Sequence, residues 1–433
     1  MTILDDNASD QPLNDKRTIR GWAFFDWANS AYALVISTAV FPPFFTSVAP
    51  KTMSFFGVEI LSSALYSFSV SFAFLLNAIM TPFLSGMADY SGRRLSLLKF
   101  FTVLGSLACM TLFFFDGPST AWLGLGAFVI GTVGFGGGIV FYNSYLPDLV
   151  SEDKFDKVSA QGYAYGYVGS VILLLIILIM VHFSDTLGLA SGMAVRLGFI
   201  LVGLWWLGFA QLTFRVLPKD KALPMDISFL SKGLNEVLDV LKRLIKQSNI
   251  MLFLMSYFFF IAGVNVVIYL AGVFAEEELG FEQSQLIVLI LLLQFLAMLG
   301  AFFFAYISKW IGNKWALIIQ ILIWVAICFT AYFVDGVRQF CILSIFVGMV
   351  FGGIQSLSRS TYTKMLDGNI TALASYFSFY DVLTKLAVVG GTLVWGLVNQ
   401  ITGNMRYSIL SLAILFLVSL VLMLMVKEPQ VKS

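Results

Sequence analysis

Charge is scarce in this chain. Of 433 residues only 12% are Asp, Glu, Lys or Arg, while 59% are hydrophobic; an ordinary soluble domain carries about 25% charged residues. That excludes a soluble protein of this length, which would need polar linkers between separate cores and a polar skin over each. Neither sign of charge is in excess, with 26 Lys and Arg against 25 Asp and Glu. The basic face of a nucleic-acid-binding protein is therefore missing, and no nucleic acid is expected as a partner. Cysteine is rare too: Cys109, Cys328 and Cys341 each sit in an apolar run without metal-ligand spacing. They read as small buried hydrophobes, and neither a disulfide framework nor a metal site is expected. The single histidine, His182, falls at the end of an apolar run and reads as an interface residue. No phosphate-cradling loop, nucleophile or acid–base cluster is legible, so neither a cofactor nor an enzymatic activity is expected. The acidic first twenty residues lack the basic start and short apolar core of a cleavable signal peptide.

What the chain does have is apolar runs of about 20 residues, the length a helix needs to cross about 30 Å of hydrocarbon. Twelve are placed from end to end, the first near 22–48, the sixth near 195–216, the seventh near 249–273 and the last near 406–426. The fold class that follows is an all-α integral membrane protein: twelve transmembrane helices in two six-helix halves. The expected domains are a tail at 1–20, a first half at 21–216, a linker at 217–248, a second half at 249–426 and a tail at 427–433. Basic residues are retained in short cytoplasmic loops. With the N-terminus inside, 21 of the 26 Lys and Arg fall on the inner side. Four, Lys51, Arg196, Arg338 and Arg406, fall outside, and Lys385 lies within a span. Both termini are thus expected in the cytoplasm. In the linker, Leu230, Leu234, Val237, Leu238, Leu241 and Ile245 recur at helical spacing beside Lys232, Lys242, Arg243 and Lys246, the pattern of an interfacial amphipathic helix.

The halves are related by a constant shift, which carries Gly137, Gly138 and Ile139 onto Gly352, Gly353 and Ile354, and Tyr165 onto Tyr380. The same shift sets Gly166 and Ser170 where Asp381 and Lys385 stand. The second half therefore carries intramembrane charges that the first lacks, and function is expected at that asymmetry. Asp381 and Lys385 are four apart and can neutralise each other on one helical face, either as a fixed structural pair or as one that changes partner during transport. In the first span Asp26, Asn29 and Ala33 share a face with Tyr32 beside them. Asp26 either lines a wet pathway or pins the inner end of its helix. Asn143, Asn265 and Gln355 are further polar candidates inside spans.

Between the second and third spans stand Ser85, Gly86, Asp89, Gly92, Arg93 and Arg94. This turn resembles the loop signature of the major facilitator superfamily, in which the acid caps a helix and pairs with basic groups to hold an inner gate, and the glycine permits the turn. Ser85 occupies the position of the family's first glycine, and the counterpart at Lys309–Lys314 has lost the acid, so gate-locking is expected to be uneven. Three further stretches narrow the resemblance: the Asp26-Trp27-Ala28-Asn29-Ser30-Ala31-Tyr32 run, the Ser358-Arg359-Ser360 segment, and Tyr380-Asp381 followed by Lys385. They are similar to the vacuole-effluxer-like branch, whose fungal members export amino acids from the vacuole. Leu383-Thr384 departs from the Thr or Ser followed by Gly that is usual there.

The resemblance covers residues from about 20 to the end. It implies a secondary transporter moving a small solute by alternating access, with Asn143, Asn265 and Gln355 on cavity-lining spans and Arg359 as an anchor or gate partner. The expected substrate is a zwitterion such as an amino acid, bound between the halves with Asp26 and Asn29 near its amine. Asp381 and Lys385 would sense the transition or a coupled proton. Besides that solute, membrane lipid is the expected partner; the chain reads as a monomer, and a bacterial inner membrane is its expected address. The alternatives are a transporter-like receptor without turnover and an efflux carrier for drugs, sugars or peptides.

Overall fold

The computed structural model describes residues 13–90, 92–151, 155–221, 228–366 and 373–427. The first span starts earlier than its apolar run, because Asp15 accepts hydrogen bonds from the Thr18 amide and hydroxyl, both at 2.8 Å, and so caps helix α1 (Lys16–Ala31). The same span winds on as a π-helix from Tyr32 to Val40 and ends as α2 (Phe41–Val48). A stretch of nine π-helical residues exceeds the single-turn π-bulge that is common inside α-helices, a device frequent at functional sites. A hairpin follows that apolar patterning did not foresee, β1 (Thr52–Phe55) paired antiparallel with β2 (Val58–Leu61). Its tip, Phe56 and Gly57, has φ of 50° and 82°, the two positive values that match a tight hairpin's twist.

The remaining helices are α3 (Ser62–Tyr90), α4 (Arg94–Thr111), α5 (Ala121–Asn143), the short α6 (Leu146–Leu149), α7 (Phe155–His182), α8 (Ser191–Phe214), the linker helix α9 (Ser228–Ile245), α10 (Ser248–Leu279), α11 (Gln283–Ile311), α12 (Asn313–Tyr332), α13 (Val337–Met365), α14 (Leu373–Thr402) and α15 (Met405–Met425). Among the described residues twelve helices are long and apolar enough to cross a membrane, the number expected, in the expected places.

Two compact units emerge, and they do not follow the sequence halves. Unit one is Met1–Phe41 with Ile79–Asn235, and unit two is Pro42–Ala78 with Glu236–Ser433. The end of the first span and the start of the second join unit two for a visible reason. Thr46 donates to Glu276 at 2.7 Å, Asn399 donates to Ser63 at 3.0 Å, and the Ser67 hydroxyl donates to the Thr392 carbonyl at 2.6 Å. Gln400 accepts from the Leu61 amide at 2.8 Å and donates to the Glu59 carbonyl at 3.0 Å, which fastens the hairpin.

Within the units the same pairings recur. In unit one α1 packs on α7 and α8, and α4 on α5 and α8; in unit two α10 packs on α14 and α15, and α12 on α13 and α15. Taking spans in order, each pair of the first set corresponds to one of the second, the structural form of the repeat read from sequence.

Candidate functional site

In unit one the site is built where α1 crosses α5 and α7. Asp26 is buried, and the Tyr142 hydroxyl donates to its Oδ2 at 2.7 Å. Tyr142 is itself held by Trp22, which stacks on it at 4.4 Å between ring centroids and donates its indole N–H to the Tyr142 carbonyl at 3.1 Å. Asp26 forms no ion pair among the described residues. Room for this carboxylate comes from α7: a Cβ at Gly162 would lie 2.5 Å from Asp26 Oδ2 and 2.9 Å from the Tyr142 hydroxyl. One turn on, a Cβ at Gly166 would strike the Ser30 hydroxyl. The shift that pairs Gly166 with Asp381 thus pairs a close helix crossing with a charge.

Asn29 is 1% exposed, and neither atom of its side-chain amide has a hydrogen-bond partner in the protein. A buried amide without partners is uncommon enough to demand a reason, because each unmade bond forfeits about 1–3 kcal/mol. It lies one turn beyond Asp26 and one turn before the π-helix. Tyr32, the next polar candidate on this helix, is buried; its hydroxyl bonds Thr132 at 2.7 Å and the Phe128 carbonyl at 3.1 Å, and its ring stacks on Phe135. Asn143, at the end of α5, is exposed.

In unit two Lys385 Nζ lies 2.6 Å from Asp381 Oδ2, the pair that the spacing of four predicts. The partners are unequal, the lysine side chain being 12% exposed and the aspartate 54%. Beside them runs a stack of tyrosines from three helices. Tyr380 of α14 lies 4.3 Å from Tyr257 of α10 and 5.0 Å from Tyr362 of α13, between ring centroids. Thr384 donates to the Tyr380 carbonyl at 2.8 Å and bonds the Tyr257 hydroxyl at 2.7 Å. This Thr384, noted as a departure from the family pattern, therefore ties α14 to α10. Arg359 lies over the ring of Phe377 at 5.5 Å. The Asn265 side chain donates back to its own helix, to the Ile261 carbonyl at 2.8 Å, and Gln355 is exposed. The tyrosines carry no charge or periodic signal; only their shared position across three helices marks them.

The turn between α3 and α4 also takes shape inside unit one. Gly92 has φ of 62°, the left-handed conformation expected of it. Arg93 holds the N-cap position of α4. Arg94 pairs with Asp148 at 2.6 Å, donates to the Ser144 carbonyl at 2.8 Å and lies over the Tyr145 ring at 5.2 Å. The acid that caps α4 is Asp220, whose two carboxylate oxygens accept from the Leu95 and Ser96 amides at 2.8 and 3.0 Å. The side chain of Asp89, the acid named from sequence for the gate, lies outside the described residues. Asp148, in the short α6, and Asp220, in the loop after α8, each lie far in sequence from the arginine or helix end they serve, which hid them from a sequence reading. In unit two the counterpart is uncharged at its centre: Asn313 donates to the Thr361 hydroxyl at 3.1 Å and accepts from Lys364 at 3.2 Å.

Comparison with known proteins agrees with this architecture. Residues 14–433 match the family model described as vacuole effluxer Atg22 like. The chain is 30% identical over 411 residues to YxiO of Bacillus subtilis (strain 168), described as an uncharacterised MFS-type transporter, with 94% of each chain covered. It is 24% identical over 480 residues to autophagy-related protein 22 of Kluyveromyces lactis, covering 96% of this chain and 94% of the relative. Among solved structures it resembles the D-xylose-proton symporter with a TM-score of 0.68 and 17% identity, covering 95% and 98% of the two chains. The nucleoside transporter NupG gives 0.67 and 12%, covering 94% and 98%. The fold is that of the major facilitator transporters, and the chain belongs to the vacuole effluxer Atg22-like family.

Proposed function

We propose that this chain is a secondary transporter that carries a small zwitterionic solute, an amino acid in the first instance, across its membrane by alternating access. The observation that carries the proposal is the pairing of Asp26 with Asn29. A carboxylate inside a span, facing a tyrosine hydroxyl and no cation among the described residues, stands one helical turn from a buried amide that bonds nothing in the protein. A carboxylate at membrane depth is expensive and marks a substrate or ion pathway by default. A solute amine beside Asp26 and a solute carboxylate accepting from the Asn29 amide would satisfy both groups. Asp381 and Lys385 supply charges whose pairing responds to the conformational change or to a coupled proton, as in a symporter or an antiporter. The basic residues gathered on the side of the termini support a cytoplasmic placement of both ends. The bacterial relative supports a plasma-membrane address.

The test is flux in proteoliposomes with a trapped pH dye and a panel of radiolabelled amino acids, with Asp26→Asn and Asp381→Asn beside the wild type. Saturable uptake, lost in Asp26→Asn, is the expected result. No flux of any amino acid would overturn the substrate class and move the panel to sugars, peptides and drugs. Silence across all of them, with binding retained, would favour a receptor.

A further inference from the structure

Among its described residues, the linker helix α9 has a buried face, an open apolar face and a basic flank. Val240 and Leu244, one turn apart, are 3% and 0% exposed and form the buried face of the helix. Leu234, Leu238, Leu241 and Ile245 follow at spacings of four, three and four, which puts them along a single neighbouring face. That face is largely open: Leu234 is 36%, Leu238 41% and Ile245 57% exposed, with Leu241 half-buried. On its other flank stand the exposed Lys242 and Lys246, again one turn apart, with Arg243 behind them. Lys242 lies 2.9 Å from Asp239, and its charge holds the Asp239 carboxyl below the usual range, the hydrogen bond being the larger cause. The last turn and a half of the helix is therefore basic beside an apolar stripe.

We propose that this stripe lies in the surface of the bilayer on the side of the termini, with Lys242, Arg243 and Lys246 receiving the headgroups of anionic phospholipid. Three arguments select lipid over a protein partner. The helix joins two bundles of membrane-spanning helices, so its ends are already held at the bilayer surface. Its order of faces, protein contact, apolar stripe, basic flank, is the one a helix needs if it is to lie along the edge of a bundle, sink its leucines among acyl chains and raise its lysines to the phosphates. The charge is complementary to an anionic leaflet, where each Lys or Arg near the surface gains about 1 kcal/mol, or about fivefold in occupancy. The inference concerns how the linker is held and does not depend on which solute the chain carries.

The experiment uses the full chain with Leu238→Cys or Lys246→Cys, in a Cys341→Ser background because Cys109 and Cys328 are buried. Each variant carries a nitroxide label and is reconstituted in phosphatidylcholine with or without phosphatidylglycerol. Collisions with oxygen report the acyl region, and collisions with a nickel chelate report water. At Leu238 the label is expected to favour oxygen and at Lys246 the chelate, and the contrast should deepen with phosphatidylglycerol. Joint replacement Lys242→Gln, Arg243→Gln should cut the phosphatidylglycerol effect severalfold, as should high salt. A label at Leu238 that meets the chelate as readily as the one at Lys246 would overturn lipid contact. An oxygen preference indifferent to phosphatidylglycerol and to the charge variant would overturn the headgroup assignment. Spin–spin broadening between labelled chains would assign the stripe to a second copy instead.

Discussion

Two crossings that the repeat makes equivalent solve the same problem in opposite ways. Where α1 meets α7, the charge sits on α1 as Asp26, and α7 answers with Gly162 and Gly166, so that the helices close on each other and a tyrosine hydroxyl is the carboxylate's partner. Where α10 meets α14, the charges sit on α14 as Asp381 and Lys385, which meet each other, and the space between the helices is filled by Tyr257 and Tyr380 and bridged by Thr384. The turns after the second span of each half differ in the same sense. The first is held by the ion pair of Arg94 with Asp148, the second by the amide of Asn313. One arrangement of helices thus accepts a polar group on either member of a pair, provided the other member gives way or supplies hydrogen bonds.

The sharpest way to break this comparison is to exchange the residues themselves. Gly166→Asp gives the first crossing the charge of the second, and it should destabilise the protein by about 3 kcal/mol because the new side chain meets Ser30 and the Asp26 carbonyl. Asp381→Gly should cost about 1.3 kcal/mol, about 0.3 through helix propensity and about 1 through the lost partner of Lys385. Melting curves in detergent would show both; equal losses would mean that the halves do not differ in packing. Next in size, the two hydroxyls can be compared. Tyr142→Phe removes a bond to a carboxylate and should cost about 1.5 kcal/mol. Tyr257→Phe removes one from Thr384, which keeps its bond to Tyr380, and should cost about 0.6 kcal/mol. An inverted order in the same assay would argue against Asp26 as the more demanding site.

A cycle through Asp381→Asn, Lys385→Met and the double variant should reveal a coupling of about 1 kcal/mol in stability. Restored flux in the double variant would mark the pair as structural; flux lost in all three would mark it as part of transport. The smallest effect belongs to the start of the first span. Hydrogen bonds from Thr18, the side chain's larger than the backbone's, lower the Asp15 carboxyl from its usual range. A group whose folded value is depressed stabilises the fold above its unfolded value and loses that contribution as pH falls through the folded one. Protection of the Thr18 amide against exchange, corrected for the intrinsic rate at each pH, should accordingly fall on acidification below the ordinary carboxylate range. It should already be reduced at neutral pH in Asp15→Ala, while that of the capped end of α15 at Asn404 stays constant.

Much of the candidate site was legible because it obeys local rules. The pairing of Asp381 with Lys385 follows from a spacing of four on a helix, and the left-handed Gly92 follows from a turn between two spans. Asp220 and Asp148 were not legible, since nothing near either of them announces a helix end or an arginine more than fifty residues away. The partners of Tyr32 were hidden for the same reason. Its position on the polar face of α1 was visible, but the hydroxyl and carbonyl that claim it belong to α5.

The sequence by itself determined the twelve spans, because the hydrocarbon core imposes a length and an apolar character that each segment must satisfy alone. Only the tertiary structure decided which polar groups are satisfied. It gave Asp26 to Tyr142, left the Asn29 amide without a partner in the protein and placed the end of the first span and the start of the second in the second unit. Hydrogen-bond satisfaction depends on which helices meet and how closely, and within a membrane that is set by small residues such as Gly162 and Gly166 whose meaning appears only when the facing helix is known.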